Sequence, residues 1–183
     1  MLKTVITIVV TVVIILAAMA FSRSSNVPSA TDQTLTTPDD INAVGEPEQV
    51  QRELQETMSQ VADLSSQNLT AVSQEIFSRT GLRELDLSDN QLSGALPAEV
   101  RQLQALRILN LSDNQFTGVP AEIGQLRNLE VLDLSNNNLT GLPYELGNLM
   151  NLQVLDLSGN DYSKQDLEII KASLPPSVNI RVD

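Results

Sequence analysis

Between residues 82 and 160 the chain carries one phrase four times: LRELDLSDN, LRILNLSDN, LEVLDLSNN and LQVLDLSGN, begun at Leu82, Leu106, Leu129 and Leu152. The starts are 24, 23 and 23 residues apart, the period of stacked structural units and not of a lone helix or a single sheet domain. Within each copy L-x-x-L-x-L-x-x-N sets leucines at alternate positions of a short extended run, as at Leu85 and Leu87. One strand face is therefore apolar and the other polar.

The chain then has to return to begin the next copy. Gly94, Gly118 and Gly141 follow the Asn of the first three copies by four residues. These copies run on through Pro97, Pro120 and Pro143 into Glu99-Val100, Glu122-Ile123 and Glu145-Leu146, then Leu103, Leu126 and Leu149. A turn and a short helical or extended return segment are predicted, with apolar residues that close the core from its second side. One such unit cannot bury its own leucines and is stable only on neighbours. Asn90, Asn114, Asn137 and Asn160 fall where the chain leaves the strand. A buried amide there would satisfy backbone groups of adjacent turns that water cannot reach, so a structural and not a catalytic role is expected of this column.

The L-x-x-L-x-L-x-x-N-x-L core of all four copies, with Phe116 and Tyr162 in the last Leu place of two, resembles the leucine-rich repeat family. Residues 62–70, ADLSSQNLT, look like a worn fifth copy with Ala62 in a Leu place and Gln67 in the Asn place; its return segment is Glu75-Ile76-Phe77, and Arg79 stands where later copies carry Leu. Together these cover about residues 60 to 183. The resemblance implies an α/β fold, a leucine-rich repeat solenoid forming a short horseshoe arc with a parallel β-sheet on its concave face. It implies a binding scaffold without naming a partner.

Outside the repeats the chain divides further. Residues 4–21, TVITIVVTVVIILAAMAF, form an uncharged 18-residue stretch, long enough to cross a bilayer core of about 30 Å as a transmembrane helix. Lys3 favours a cytoplasmic N-terminus, which places the repeats outside the membrane as part of a single-pass protein. Ala18-Met19-Ala20 also fits a signal-peptide cleavage site, and secretion after cleavage near Ala20 is the alternative. Residues 22–45 are rich in Ser, Thr, Pro, Asn and Asp and read as a disordered linker. Residues 46–60 carry Pro47, early acids and apolar residues at Val50, Leu54 and Met58, with Val61 next in line. They are expected to form an N-terminal capping helix over the first repeat. From about residue 161 the repeat decays. A helix around residues 166–171, the stop at Pro175-Pro176 and the alternation of Val178, Ile180 and Val182 predict a C-terminal cap, with Arg181 and Asp183 on its exposed edge.

Composition removes several function classes. The chain has no Cys and no His, which excludes thiol nucleophiles, zinc sites built on those ligands and an imidazole base. No metal site, cofactor or catalytic residue is expected. A formal net charge of −12 repels phosphate backbones, so nucleic acid is not an expected partner. A monomer is favoured.

A partner is expected on the concave face, where residues between the inward leucines point outward. One column is Asp63, Asp86, Asn110, Asp133 and Asp156; the next is Ser65, Ser88, Ser112, Ser135 and Ser158; on the other side lie Glu84, Ile108, Val131 and Val154, with Arg83 beside them. The candidate partner-binding residues are therefore Arg83, Glu84, Asp86, Ser88, Ile108, Asn110, Ser112, Val131, Asp133, Ser135, Val154 and Asp156. An acidic and hydroxyl stripe beside an aliphatic one suits a protein or peptide, including a cationic one. The same wording is also the common filling of the repeat. The alternative of a different kind is a structural or adhesive surface protein that recognises a cell-wall or matrix polymer.

Overall fold

The computed structural model describes Gln55, Glu56 and residues 59–183. The expected membrane segment at residues 4–21 and linker at 22–45 lie outside these residues, as does most of the expected capping helix, of which Gln55, Glu56 and Ser59 are described and helical. Among the described residues no helix is long and apolar enough to cross a membrane.

Each repeat contributes one three-residue strand to a parallel sheet. The strands are β1 (Val61–Asp63), β2 (Glu84–Asp86), β4 (Ile108–Asn110), β6 (Val131–Asp133), β7 (Val154–Asp156) and β8 (Asn179–Arg181), hydrogen-bonded in that order. No strand is skipped, so every turn touches only its neighbours. The register aligns equivalent positions: Ala62, Leu85, Leu109, Leu132, Leu155 and Ile180 form one row. Between Leu85 and Leu155 that row points into the core and is at most 1% exposed. β3 (Ser93–Ala95) and β5 (Gln115–Gly118) pair as a second parallel sheet where the chain turns away from the first.

The return segments are single turns of 3-10 helix, Ala98–Gln102, Ala121–Gln125 and Tyr144–Asn148, each preceded by a proline. Proline has no N–H to satisfy and its ring fixes φ near the helical value, so it starts such a turn at little cost. Val100, Ile123 and Leu146 on these turns and Leu103, Leu126 and Leu149 behind them are fully buried opposite the strand leucines. Burial of each such side chain contributes about 1.5–3 kcal/mol. Successive turns approach closely at Gly124, where a Cβ would sit 2.3 Å from the Glu145 carbonyl oxygen, and at Gly147, where it would meet Ser173 Cβ at 2.6 Å.

Both ends depart from the repeat. In the worn first copy the return is a short helix, α1 (Gln74–Phe77), capped by Ser73. Arg79, in a Leu place, donates from Nη2 to the carbonyls of Ser59 and Val61 at 2.9 and 3.3 Å. At the other end α2 (Lys164–Ser173) packs on the last 3-10 turn and buries Leu167 and Ile170. β8 then closes the sheet. Arg181, foreseen as an exposed edge charge, instead pairs through Nη1 with Asp156 Oδ2 at 3.3 Å.

Candidate functional site

Three polar columns run across the stacked turns at the strand ends. In the first, Asn137 accepts at Oδ1 from the Phe116 N–H at 3.0 Å and donates from Nδ2 to the carbonyls of Leu111, Leu134 and Ser135 at 3.0–3.1 Å. Asn114 does the same with Leu92 N–H and the carbonyls of Leu87, Leu111 and Ser112. Asn90 and Asn160 repeat the arrangement. Each amide ties its own turn to the one before it, meeting backbone groups that the tight turn leaves without partners.

The residue before each of these positions forms the second column. Ser66, Asp89, Asp113, Asn136 and Gly159 all have φ between 53° and 68°. This left-handed conformation is tolerated best by Gly, Asn and Asp, which explains the residue types found there in the four full repeats; Ser66 belongs to the worn copy. At Gly159 the need is also steric, because a Cβ would lie 2.4 Å from Asn136 Oδ1.

The third column is that of the strand aspartates. Each turns back on its own strand end: Asp133 Oδ1 accepts from Ser135 N and Oγ at 2.9 and 2.7 Å, Asp156 Oδ1 from Ser158 N and Oγ at 3.1 and 2.6 Å, and Asn110 Oδ1 from Ser112 N and Oγ at 3.1 and 2.8 Å. Asp86 accepts from the Ser88 N–H and, at Oδ2, from Asn110 Nδ2 at 3.2 Å. Where the columns alone imply an open acidic and hydroxyl stripe, the structure buries Ser88, Asn110, Ser112, Asp133, Ser135 and Asp156, none above 8% exposed. Their oxygens close a turn, a task that the D-x-S spacing suits because a short side chain reaches the N–H two residues on. Asn110 and Arg181 interrupt and terminate the like charges along the row. Asp133, flanked by Asp156, keeps a carboxyl held above the ordinary aspartate range, chiefly by burial.

Asp63 is exposed and Asp86 partly exposed at the start of that column; the other accessible side chains on the sheet face belong to the neighbouring row. Glu84, Ile108, Val131 and Val154 lie in register on adjacent strands and are all partly exposed. Arg83 is exposed beside them. Arg107, absent from the sequence-based site, is bound by its Nε to Glu130 Oε1 at 2.8 Å and forms an ion pair with it. Glu84 is raised above the ordinary glutamate range by burial, an effect that the charge of Arg107 only partly offsets. Among the described residues no group of three or more acidic side chains is placed to hold a metal ion.

Residues 57–174 match the model of the leucine-rich repeat region. The chain belongs to the leucine-rich repeat family. No curated protein sequence matches it significantly. Among solved structures this leucine-rich repeat chain is similar to a leucine-rich repeat protein of Leptospira interrogans, at 41% identity and a TM-score of 0.57 over 61% of this chain and 28% of that one. It is also similar to the ectodomain of the receptor kinase SOBIR1 from Arabidopsis thaliana, at 32% identity and a TM-score of 0.53 over 64% and 65% of the two chains. A third is the plant peptide hormone receptor RGFR1 in complex with RGF2, at 32% identity and a TM-score of 0.55 over 67% and 24%. The chain thus spans 28% of the Leptospira protein and just under two thirds of the SOBIR1 ectodomain structure.

Proposed function

We propose that this leucine-rich repeat chain is a non-catalytic binding module, displayed outside the cytoplasmic membrane and recognising a protein or peptide through its concave sheet face. The observation that carries the reading is the row Glu84, Ile108, Val131 and Val154. Four partly exposed side chains, three of them β-branched aliphatics, stand side by side above strands whose other polar groups are already satisfied. A strip of that kind has unsatisfied apolar surface to offer a partner, while the buried Asp and Ser side chains have little. The company of receptor ectodomains supports the reading, one of them a peptide hormone receptor solved with its ligand. Tethering through residues 4–21 rests on the apolar length of that segment, with secretion after cleavage near Ala20 the other route to the same side.

Crosslinking on intact cells with wild type and Val131→Arg tests it. Val131 is partly exposed, so a charged side chain there extends into solvent and leaves the core untouched. The expected outcome is a partner captured by wild type and lost from a variant of unchanged thermal midpoint. Equal capture by both sinks the sheet-face assignment. Retention of both on isolated wall or matrix material, with no protein captured, would favour the adhesive alternative.

A further inference from the structure

The sheet-face row is polarised along the stack. Ile108, Val131 and Val154 occupy three consecutive strands, and the position before them is Glu84. Its carboxylate accepts no hydrogen bond from any described residue, although it is partly buried and a guanidinium lies nearby. The reason is visible one turn on: Arg107 directs both Nε and Nη2 to Glu130 Oε1. Every other acid of the sheet between β2 and β7 is satisfied, Asp86 by Ser88 and Asn110, Asp133 by Ser135, Asp156 by Ser158 and Arg181. Glu84 is therefore a partly desolvated anion with acceptor capacity left over, at one end of an apolar strip. A cation brought to it by a ligand regains an interaction that water supplies incompletely.

Resting on the binding reading above, we propose that the face takes an extended peptide in which one Lys or Arg meets Glu84 and two apolar side chains, at the second and fourth positions from it, lie on Ile108, Val131 and Val154. The spacing comes from the sheet itself. Strands about 4.8 Å apart put Val154 about 14 Å from Glu84 along the row, and same-face side chains of an extended peptide recur about every 6.8 Å. Positions 0, 2 and 4 of the peptide therefore span the strip from end to end. The pattern is basic-x-apolar-x-apolar, with either chain direction satisfying it. Asp63, on the strand before and in register with Asp86, is exposed and adds negative potential at the basic end, against the charges of Arg83 and of Arg107, the latter already paired with Glu130.

The probe is a phage-displayed library of random heptapeptides panned on the immobilised full chain. Expected are enriched peptides sharing a basic residue with apolar residues two and four positions away, binding about tenfold more weakly to Glu84→Gln. Panning on Glu84→Lys should replace the basic residue by Asp or Glu at the same place, a gain that misfolding cannot mimic. Val131→Arg should abolish capture of all of them. Enrichment without a basic preference, or a preference that survives Glu84→Lys, overturns this inference while leaving the binding reading intact if Val131→Arg still blocks. Peptides indifferent to Val131→Arg overturn both, and failure to enrich any shared pattern overturns the inference.

Discussion

Two polar columns cross the same turns a few ångströms apart, and they are not equivalent. The asparagines at 90, 114, 137 and 160 each bond across the gap to the turn before as well as within their own turn. The aspartates at 133 and 156 and Asn110 bond chiefly within their own turn, to a serine two residues on. Both columns recur in each of the four full repeats and both are largely buried there. Recurrence alone therefore does not separate a residue that joins repeats from one that finishes a strand. The hydrogen-bond partners do.

Removing a bridging amide is expected to produce the largest effect. Asn137→Ala strands the Phe116 N–H and withdraws the donor from three carbonyls, all buried. The expected loss is about 3–5 kcal/mol, since each orphaned buried group costs about 1–3 kcal/mol. Ser135→Ala, which removes one hydroxyl from a turn still held by a backbone N–H, should lose only about 1 kcal/mol. Equal losses in urea unfolding would erase the distinction between the columns.

The opposite side of the stack sharpens the same contrast, because there successive 3-10 turns meet by close packing at glycine, beside the bridges that Asn128 and Asn151 make to the carbonyls of Gln104 and Arg127. Gly124→Ala is expected to lose about 2–3 kcal/mol through overpacking against the Glu145 backbone. Gly118→Ala, whose Cβ would meet only Ala95 Cβ at 3.9 Å, should lose under about 1 kcal/mol. A thermal midpoint that drops equally in both variants would show that the close approach at Gly124 does not govern stacking.

Much of this is legible in the amino-acid sequence. Leucine alternation located the strands, and the Asn column with its amide chemistry implied bridges between turns. The worn copy also pairs in register, Ala62 beside Leu85. What escaped was local geometry. D-x-S was visible as a string, yet whether its oxygens face solvent or a backbone N–H depends on how sharply the strand ends. The run Asp89, Asp113, Asn136 and Gly159 is a signature of positive φ, legible from residue type alone, and each stands directly before the more conspicuous Asn of the bridging column. Arg181 could not be assigned because its partner, Asp156, lies 25 residues earlier and only the closing strand brings them together. Gly124 and Gly147 gave no signal because the preceding repeat carries Arg101 in that place.

The smallest expected effect tests why the aspartate column carries a charge at all. Asp133 is buried and its carboxyl is held above the ordinary aspartate range by desolvation first, with Asp156 adding to the rise while Ser135 and Arg181 oppose it. A folded carboxyl that keeps its proton longer than the unfolded one means that stability falls as pH rises from the ordinary aspartate value of about 3.9 to the folded value, and is then level. The native Asn110 shows the remedy: its Oδ1 accepts from Ser112 as Asp133 does from Ser135, and its Nδ2 donates to the neighbouring Asp86. Asp133→Asn should therefore keep the turn, remove a like charge from beside Asp156, and be equal to wild type or more stable by up to about 1 kcal/mol at pH 7. Its advantage should shrink on acidification toward pH 4, as the wild-type carboxyl takes up its proton. A variant markedly less stable than wild type at pH 7 would mean that the ionised carboxylate itself holds the strand end, through Ser135 and the charge of Arg181, more strongly than burial opposes it.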